Sequence, residues 1–309
     1  MSRPLSQRAA TLIGFSAVLL WSLLAFFTAA SGTMPPLQLT AVTFGIGGLA
    51  GTALWTVRPH AIGALRQPWQ VWLLGVGGLF GYHFFYFTSL RNAPPVEAGL
   101  INYFWPLLIV LFSALLPGER LRLHHIGGAL LALAGAALIV TGGEGFSFKA
   151  EYALGYGAAL VGALTWATYS VLSRRFAAVP SDAITGFCLI TALLSGICHL
   201  LLEQTVWPDN LWQWTAIAAL GLGPVGLAFY VWDIGVKKGD IQVLGAASYA
   251  APLLSTSILI VTGYATYSHA VLVACLLITA GAVLAARDLL FGRDLDPTPT
   301  PPIWWDNRE

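Results

Sequence analysis

The 309-residue chain is 57% hydrophobic and only 9% charged, with a mean hydropathy of +0.74. Soluble domains carry about 25% charged residues, so this composition excludes a water-soluble protein and predicts an integral membrane protein. The net charge of +1 and the absence of a basic block with interleaved aromatics predict no nucleic-acid partner.

The first apolar segment, Ala9 to Ala30, follows Arg3 and Arg8 much as the core of a secretory signal would. It exceeds the roughly 7–15 residues of such a core, and further apolar segments follow, so we predict a retained first helix. The three cysteines lie in apolar runs without CxxC or histidine spacing, which predicts buried free thiols and no metal site.

About 20 apolar residues cross a bilayer as a helix. On that measure the sequence predicts an all-α polytopic membrane protein with ten transmembrane helices, separated by short connections rich in glycine and proline. The predicted spans are 9–31, 36–57, 69–90, 95–116, 123–142, 152–173, 183–202, 211–232, 241–263 and 268–290.

The distribution of lysine and arginine predicts the orientation of these helices. With a cytoplasmic N-terminus, thirteen of these residues fall inside, and only Arg91 and Lys149 fall outside. A missed or extra helix would invert every later loop, so the asymmetry also favours ten helices with both termini cytoplasmic.

The chain matches itself at an offset of 146 residues. The matches include Gly99 with Gly245, Tyr103 with Tyr249, and Pro106 with Pro252, which shared apolar composition explains poorly. Because each half has an odd number of helices, the second half crosses in the opposite sense. We therefore predict two inverted five-helix repeats, 1–149 and 150–292, followed by a disordered cytoplasmic tail, 293–309. Inverted repeats are typical of secondary transporters, whose substrate site lies near the membrane midplane.

Three tryptophans, Trp21, Trp105 and Trp166, fall near the middle of their predicted helices, away from the interfacial belt. An indole N–H at that depth needs a polar partner or water. They are candidates to line a substrate cavity, and plain packing within the bundle is the alternative.

The third helix carries Tyr82, His83 and Tyr86 on one face. Polar ring tips are costly against lipid, so this face should line protein or water. His83 is a candidate for substrate contact or proton coupling. The alternative is a neutral histidine bonded to a backbone carbonyl.

Pro106 and Pro252 each remove a backbone donor from a predicted helix and free the carbonyl four residues earlier. Their repeat-related positions predict paired hinges, although a static kink is the alternative. Polar side chains near the two prolines, Asn102, Ser248 and Tyr249, complete the candidate substrate site together with Tyr169, which follows Trp166 in the sixth helix.

Several absences narrow the function. No Lys or Arg lies at midplane, which argues against phosphate-bearing substrates, and no acidic residue lies within the first helix, which argues against a carboxylate-based drug–proton antiporter. Motifs for an intramembrane enzyme or for ATP use are missing, so we predict a non-enzyme without cofactor. The acids Glu97, Glu119, Glu203 and Asp233 fall near span ends, where solvated or capping roles suffice.

Nearly the whole chain resembles the drug/metabolite transporter superfamily with its EamA-type repeats. The resemblance rests on PGER after the fourth helix and on LLWSLLAF and LTWATYSVLSRR at the starts of the halves. The stretch GYHFFYFTSLRNAPPVEAGLINYFWPLL is more closely similar to bacterial aromatic amino-acid exporters of the YddG type. One departure is that Gly118-Glu119 has no counterpart at Gly263-Tyr264-Ala265.

The resemblance implies export of aromatic and other neutral amino acids, such as Phe, Trp, Tyr, Thr and Met, across the inner membrane. A zwitterionic substrate would suit the carbonyls, amide and hydroxyls of the candidate site. Two other hypotheses stay open: export of another small solute, such as a drug or nucleobase, and a non-transporting membrane scaffold. Energy coupling and oligomeric state also stay open, and a monomer is compatible with the sequence.

Overall fold

The computed structural model describes residues 5–144, 148–263 and 267–288. These residues form helices and connecting turns, with no β-strand among them. The predicted all-α class is therefore confirmed for the described residues, whereas the predicted tail at 293–309 lies outside them.

The helical segments follow the predicted spans closely. They are α1 (Gln7–Ala30), α2 (Pro36–Thr56), α3 (Trp69–Asn92), α4 (Pro95–Ser113), α5 (Leu123–Thr141), α6 (Ala153–Ser173), α7 (Ser181–Leu202), α8 (Leu211–Lys238), α9 (Ile241–Val261) and α10 (His269–Ala285). Eight are long and apolar enough to cross a membrane; the two outside that set are α6 and α10, and α10 has only 17 residues.

Local sequence explains where these helices begin and end. Ser6 caps α1 by accepting the Ala9 amide at 3.2 Å, and proline occupies the first position of α2 and α4. Asp240 caps α9 by accepting the amides of Gln242 and Val243. Gly142 closes α5 with a φ of 64°, a left-handed conformation that glycine adopts without a Cβ clash.

Interruptions occur at equivalent positions of the two halves. α3 contains a π-helical turn at Gly77–Gly81 and α8 contains one at Gly223–Leu227, displaced by the same 146 positions as the sequence matches. α4 breaks at Tyr103, and α9 breaks at Ser248 and Tyr249. Interrupted helices at corresponding positions are the feature by which transporter repeats build a site at membrane depth.

Glycines permit close crossing of packed helices. α5 and α10 meet at Gly128 and Gly281, where a Cβ on either glycine would lie 2.5 Å from the carbonyl oxygen of the other. α1 and α8 approach similarly at Gly14 and Gly235, where a Cβ on Gly14 would lie 2.8 Å from the Gly235 Cα. Such contacts are typical of helices that associate through small residues in a membrane.

The acidic residues near the ends of α7 and α8 do not have the solvated role that the sequence analysis allowed for them. α8 continues to Lys238 rather than ending near residue 232, and Asp233 within it is 2% exposed. Glu203, directly after α7, is also buried; it accepts the Leu37 and Gln38 amides at the start of α2 and pairs with Arg91. A capping role is therefore confirmed for Glu203, and a solvated one is wrong for both acids.

Candidate substrate cavity

A cluster of aromatic rings occupies the middle of the bundle. Trp21 of α1 lies 5.7 Å from Trp166, 6.3 Å from Trp105 and 5.1 Å from Trp232, measured between ring centroids. The Trp21 indole N–H donates to the Pro224 carbonyl at 3.1 Å, on the π-helical turn of α8. The cluster therefore joins helices of both halves, and α8 supplies the polar partner that this midplane indole requires.

A cavity of about 270 Å³ adjoins this cluster. Seven of the ten predicted substrate-site residues line it, drawn from α1, α3, α4 and α6: Trp21, Tyr82, His83, Tyr86, Asn102, Trp105 and Trp166. The remaining wall comes from Leu24, Ala25, Phe87, Tyr103, Pro224, Val225, Phe229, Ala251 and Ser255.

The polar part of the wall is made by α3 and α4. The Asn102 amide donates to the Tyr82 hydroxyl at 3.1 Å, and its Oδ1 is buried without a hydrogen-bond partner. The Tyr82 and Tyr86 rings are parallel, 6.0 Å apart. The wall thus presents an unpaired amide acceptor beside phenolic hydroxyls, a combination suited to a ligand that carries its own donor and acceptor groups.

His83 makes the backbone hydrogen bond that the sequence analysis left as one alternative, and its role in substrate contact or proton coupling stays a prediction. Its Nδ1 lies 2.7 Å from the Leu79 carbonyl, which can only accept, so Nδ1 carries the proton and donates. The ring also lines the cavity and meets Phe44 and Phe229 edge-on. In this arrangement Nε2 is the ring atom left to interact with other groups.

Two predicted residues of α9 lie behind the cavity wall. Tyr249 is fully buried; its hydroxyl accepts the Leu107 amide at 3.2 Å and donates to the Tyr103 carbonyl at 3.0 Å. Ser248 is 1% exposed and donates to the Leu244 carbonyl at 2.7 Å. These hydrogen bonds stabilise the interrupted helices α4 and α9. The role of both residues as substrate contacts stays a prediction.

The third predicted residue outside the cavity lining, Tyr169, packs against Trp166 of the aromatic cluster. Its ring is 5.2 Å from that of Trp166, and its Cγ would be 2.4 Å from a Cβ on Gly78. The hydroxyl is buried, and the Ser173 side chain, one turn along α6, is a polar neighbour of it. Tyr169 is not among the residues that line the cavity.

Sequence reasoning missed Phe229 and Trp232, although a signal for both was present. At the repeat offset of 146, Phe229 corresponds to His83 and Trp232 to Tyr86, both of which were predicted site residues. Phe229 lines the cavity. Trp232 belongs to the adjoining aromatic cluster, and its indole N–H donates to the Ser170 hydroxyl at 3.1 Å.

One end of the bundle is closed by polar contacts, and we call it the sealed end. Arg174 after α6 pairs with Glu119 after α4 at 2.6 Å and donates to the Gly239 carbonyl at 2.7 Å. The Asp240 amide donates to the Thr11 hydroxyl of α1 at 2.8 Å. Burial raises the pKa of Glu119, and the Arg174 guanidinium opposes that shift.

Among the residues that the structure describes, one group could hold a metal ion, where the sequence predicted none. His124, His125 and Asp288 each place a potential ligand atom within 4.8 Å of the others, between α5 and the end of α10. Arg122 already pairs with Asp288 at 2.6 Å, and His125 Nδ1 accepts the Arg122 amide at 3.2 Å. The group lies apart from the residues that line the cavity.

The family model of the EamA-like transporter family matches residues 8–141 and again residues 153–287. The chain belongs to this family. The two matches cover both halves, and the protein is accordingly a multi-pass protein of the bacterial inner membrane. Its family is one of transporters, in agreement with the prediction of a non-enzyme.

Curated relatives and a solved structure are similar over nearly the full length. The aromatic amino acid exporter YddG of Ancylobacter novellus is 56% identical over 282 residues, which is 91% of this chain and 98% of the relative. The exporter of the same name from Escherichia coli is 27% identical, over 91% of this chain and 97% of its own. A crystal structure 56% identical in sequence superposes with a TM-score of 0.87, covering 92% of this chain and 99% of that one.

Proposed function

We propose that this protein exports aromatic and other neutral amino acids by alternating access, with the substrate held in the cavity between the two halves. The observation that carries the proposal is the cavity wall itself, which combines three tryptophans with an unpaired buried amide oxygen on Asn102. The similarity to proteins named aromatic amino acid exporters supports the same substrate class.

The cavity chemistry suits a zwitterion with an aromatic side chain. The Asn102 Oδ1 accepts from the α-ammonium group, the Tyr82 and Tyr86 hydroxyls donate to the α-carboxylate, and the tryptophan faces stack on the side chain. No Lys or Arg lines the cavity, which counts against phosphorylated solutes. Its volume of about 270 Å³ is close to the lower end of ligand sites, roughly 300–1,000 Å³, and suits one amino acid.

Interrupted helices and the sealed end support the alternating-access part of the proposal. In this mechanism the ten helices form inverted repeats, 1–149 and 150–292, with both termini cytoplasmic, so that the sealed end faces the cytoplasm. Segments of α4 and α9 rock about Pro106 and Pro252, next to the breaks at Tyr103 and Tyr249. Opening requires the Arg174–Glu119 contact to separate while the opposite end closes.

Transport in proteoliposomes tests the proposal. Vesicles that contain the protein should exchange labelled Phe, Trp or Thr, and Trp105→Ala should reduce exchange because it removes a stacking surface from the wall. The matched control is Trp207→Ala, which truncates a tryptophan that is 62% exposed near a helix end. Normal amino-acid flux in Trp105→Ala would exclude this cavity as the substrate site.

The second candidate is a carrier of another small solute, such as a cationic drug or a nucleobase. The apolar part of the wall would accept a planar ring of either kind. A competition panel separates the candidates. A solute that suppresses amino-acid flux at a concentration below that of the amino acid itself would be the better substrate. A non-transporting scaffold predicts no cavity between the halves, and the observed cavity counts against it.

Energy coupling is tested on the same vesicles. His83 is the histidine on the cavity wall, and its Nε2 is free to exchange a proton with substrate or solvent. If His83 couples transport to protons, a pH gradient accelerates flux in wild type and leaves His83→Gln unaffected. Equal flux with and without the gradient would indicate facilitated diffusion or exchange.

A further inference from the structure

A buried pair of opposite charges lies in α8 near the sealed end. Lys237 Nζ is 2.8 Å from Asp233 Oδ2, and the two side chains are 6% and 3% exposed. Lys237 also donates to the Val179 carbonyl at 2.9 Å, and the Ser181 hydroxyl donates to Asp233 at 2.6 Å. Among the lysine and arginine ion pairs of the described chain, this is the one in which both side chains are more than nine-tenths buried.

Burying such a pair is costly for a membrane protein. The desolvation of two ions commonly offsets their attraction, so an ion pair of this kind is weak evidence for stability. Ionisable groups within membrane helices more often mark a substrate or ion pathway. The other pairs near the same end are less buried: Arg174 and Glu119 are 21% and 17% exposed, and Arg58 and Asp182 are 51% and 28% exposed.

The pair lies one helical turn from the substrate cavity. Phe229 lines the cavity, and Asp233 follows it by four residues, one turn of α8. Trp232, which precedes Asp233, stacks on the cavity residue Trp166 with ring centroids 6.2 Å apart, and we call these two rings the tryptophan layer. The buried Tyr169 hydroxyl is close enough to Asp233 to interact with its charge.

These groups provide what a free amino acid needs. Asp233 can accept from an α-ammonium group, Lys237 can donate to an α-carboxylate, and the Tyr169 hydroxyl can donate or accept. With the sealed end closed, each charge neutralises the other. When that end opens, an entering zwitterion can replace both contacts without leaving either charge unpaired.

We propose that Asp233, Lys237 and Tyr169 form a second amino-acid site, which loads the substrate from the sealed end before it passes the tryptophan layer. The α-ammonium group binds Asp233, the α-carboxylate binds Lys237, and the side chain lies against Trp232. This inference rests on the proposed function, because it assigns the entry site for the same substrates.

The test measures half-saturation of phenylalanine flux from each side, in inside-out and right-side-out membrane vesicles that contain the full chain. Lys237→Met and Asp233→Asn should raise the half-saturation concentration about tenfold or more from the face of the sealed end, since a charge-assisted hydrogen bond contributes about 1.5–3 kcal/mol. From the opposite face the value should stay unchanged. Arg58→Gln, which breaks the exposed pair, is the matched control.

A charge-reversed double variant, Asp233→Lys with Lys237→Asp, offers a result that can overturn the inference. It keeps an ion pair but exchanges the ends to which the zwitterion binds, so the site predicts that flux stays impaired. Restoration to within about twofold of wild type would show a purely structural pair and overturn the inference.

Should those variants fail to fold, Tyr169→Phe takes their place, because it leaves the ion pair intact and removes only one buried hydroxyl. A rise of about threefold or more in half-saturation from the sealed face is expected, and an unchanged value overturns the inference. If wild type moves no amino acid at all, the proposed function fails instead. If wild-type flux is normal and the variants keep the wild-type half-saturation concentration, only the loading site is overturned.

Discussion

The Tyr249 hydroxyl lies between the Tyr103 carbonyl and the Leu107 amide, at 3.0 and 3.2 Å. A continuous α4 would pair these two groups with each other, because they are four residues apart. Tyr249 is also the residue that corresponds to Tyr103 at the repeat offset of 146. A side chain at the break of one half therefore holds open the break of the other, and the two interruptions form one structural unit.

Tyr249→Phe should weaken this unit. It removes the bridging hydroxyl and leaves a buried amide and carbonyl to find new partners, at a cost of about 1–3 kcal/mol. We expect a lower midpoint of thermal unfolding and slower amino-acid exchange in proteoliposomes. Tyr267→Phe, at a site that is 60% exposed, is the control and should change neither quantity. Wild-type exchange in Tyr249→Phe would show that the bridge does not contribute to transport.

Asn102→Leu should lower affinity for amino acids while keeping the apolar volume of the wall. The substitution removes the Oδ1 acceptor and the hydrogen bond to Tyr82. Losing a hydrogen bond to a charged ammonium group corresponds to a loss of about tenfold or more in affinity. Equilibrium binding of labelled phenylalanine measures the change. Unaltered binding would mean that the ammonium group has another partner.

Gly128→Leu should destabilise the crossing of α5 and α10. Even the Cβ would meet the Gly281 carbonyl oxygen at 2.5 Å, so the helices must move apart. Overpacking of this kind costs about 1–3 kcal/mol, and thermal unfolding in detergent should register it. The control is Gly157→Leu, where a Cβ meets nothing within 4 Å and little change is expected. Equal stability of the two variants would contradict close packing at Gly128.

Glu203→Gln should destabilise the end of the bundle where α2, α3 and α7 meet. Its carboxylate is 2% exposed, accepts the first amides of α2 and pairs with Arg91. Removing the charge weakens the helix cap and the contact with the partly exposed Arg91 guanidinium, at a cost of about 1–2 kcal/mol. Glu151→Gln, in the exposed pair with Lys149, should leave the unfolding temperature unaltered. A similar effect of both substitutions would argue against a special role for Glu203.

Much of the candidate cavity could be predicted because its signals are local. Trp21, Trp105 and Trp166 were placed by depth within single apolar runs, and Tyr82, His83 and Tyr86 by the spacing of one helix face. Ser248 and Tyr249 were linked to the cavity by their nearness to Pro252, yet they contact α9 itself and α4. Nearness along a helix does not determine which neighbour a side chain meets.

The sequence by itself determined the membrane environment, the approximate position of the helices, the duplication and the paired prolines close to which α4 and α9 are interrupted. These follow from composition and periodicity, which act within one segment or between segments at a fixed offset. Only the tertiary structure decided that Tyr249 bridges the break in α4, that Phe229 lines the cavity, and that Asp233 and Lys237 are buried as a pair. The physical reason is that burial and hydrogen-bond partners depend on the helices packed around a residue, and no sequence position carries that information alone.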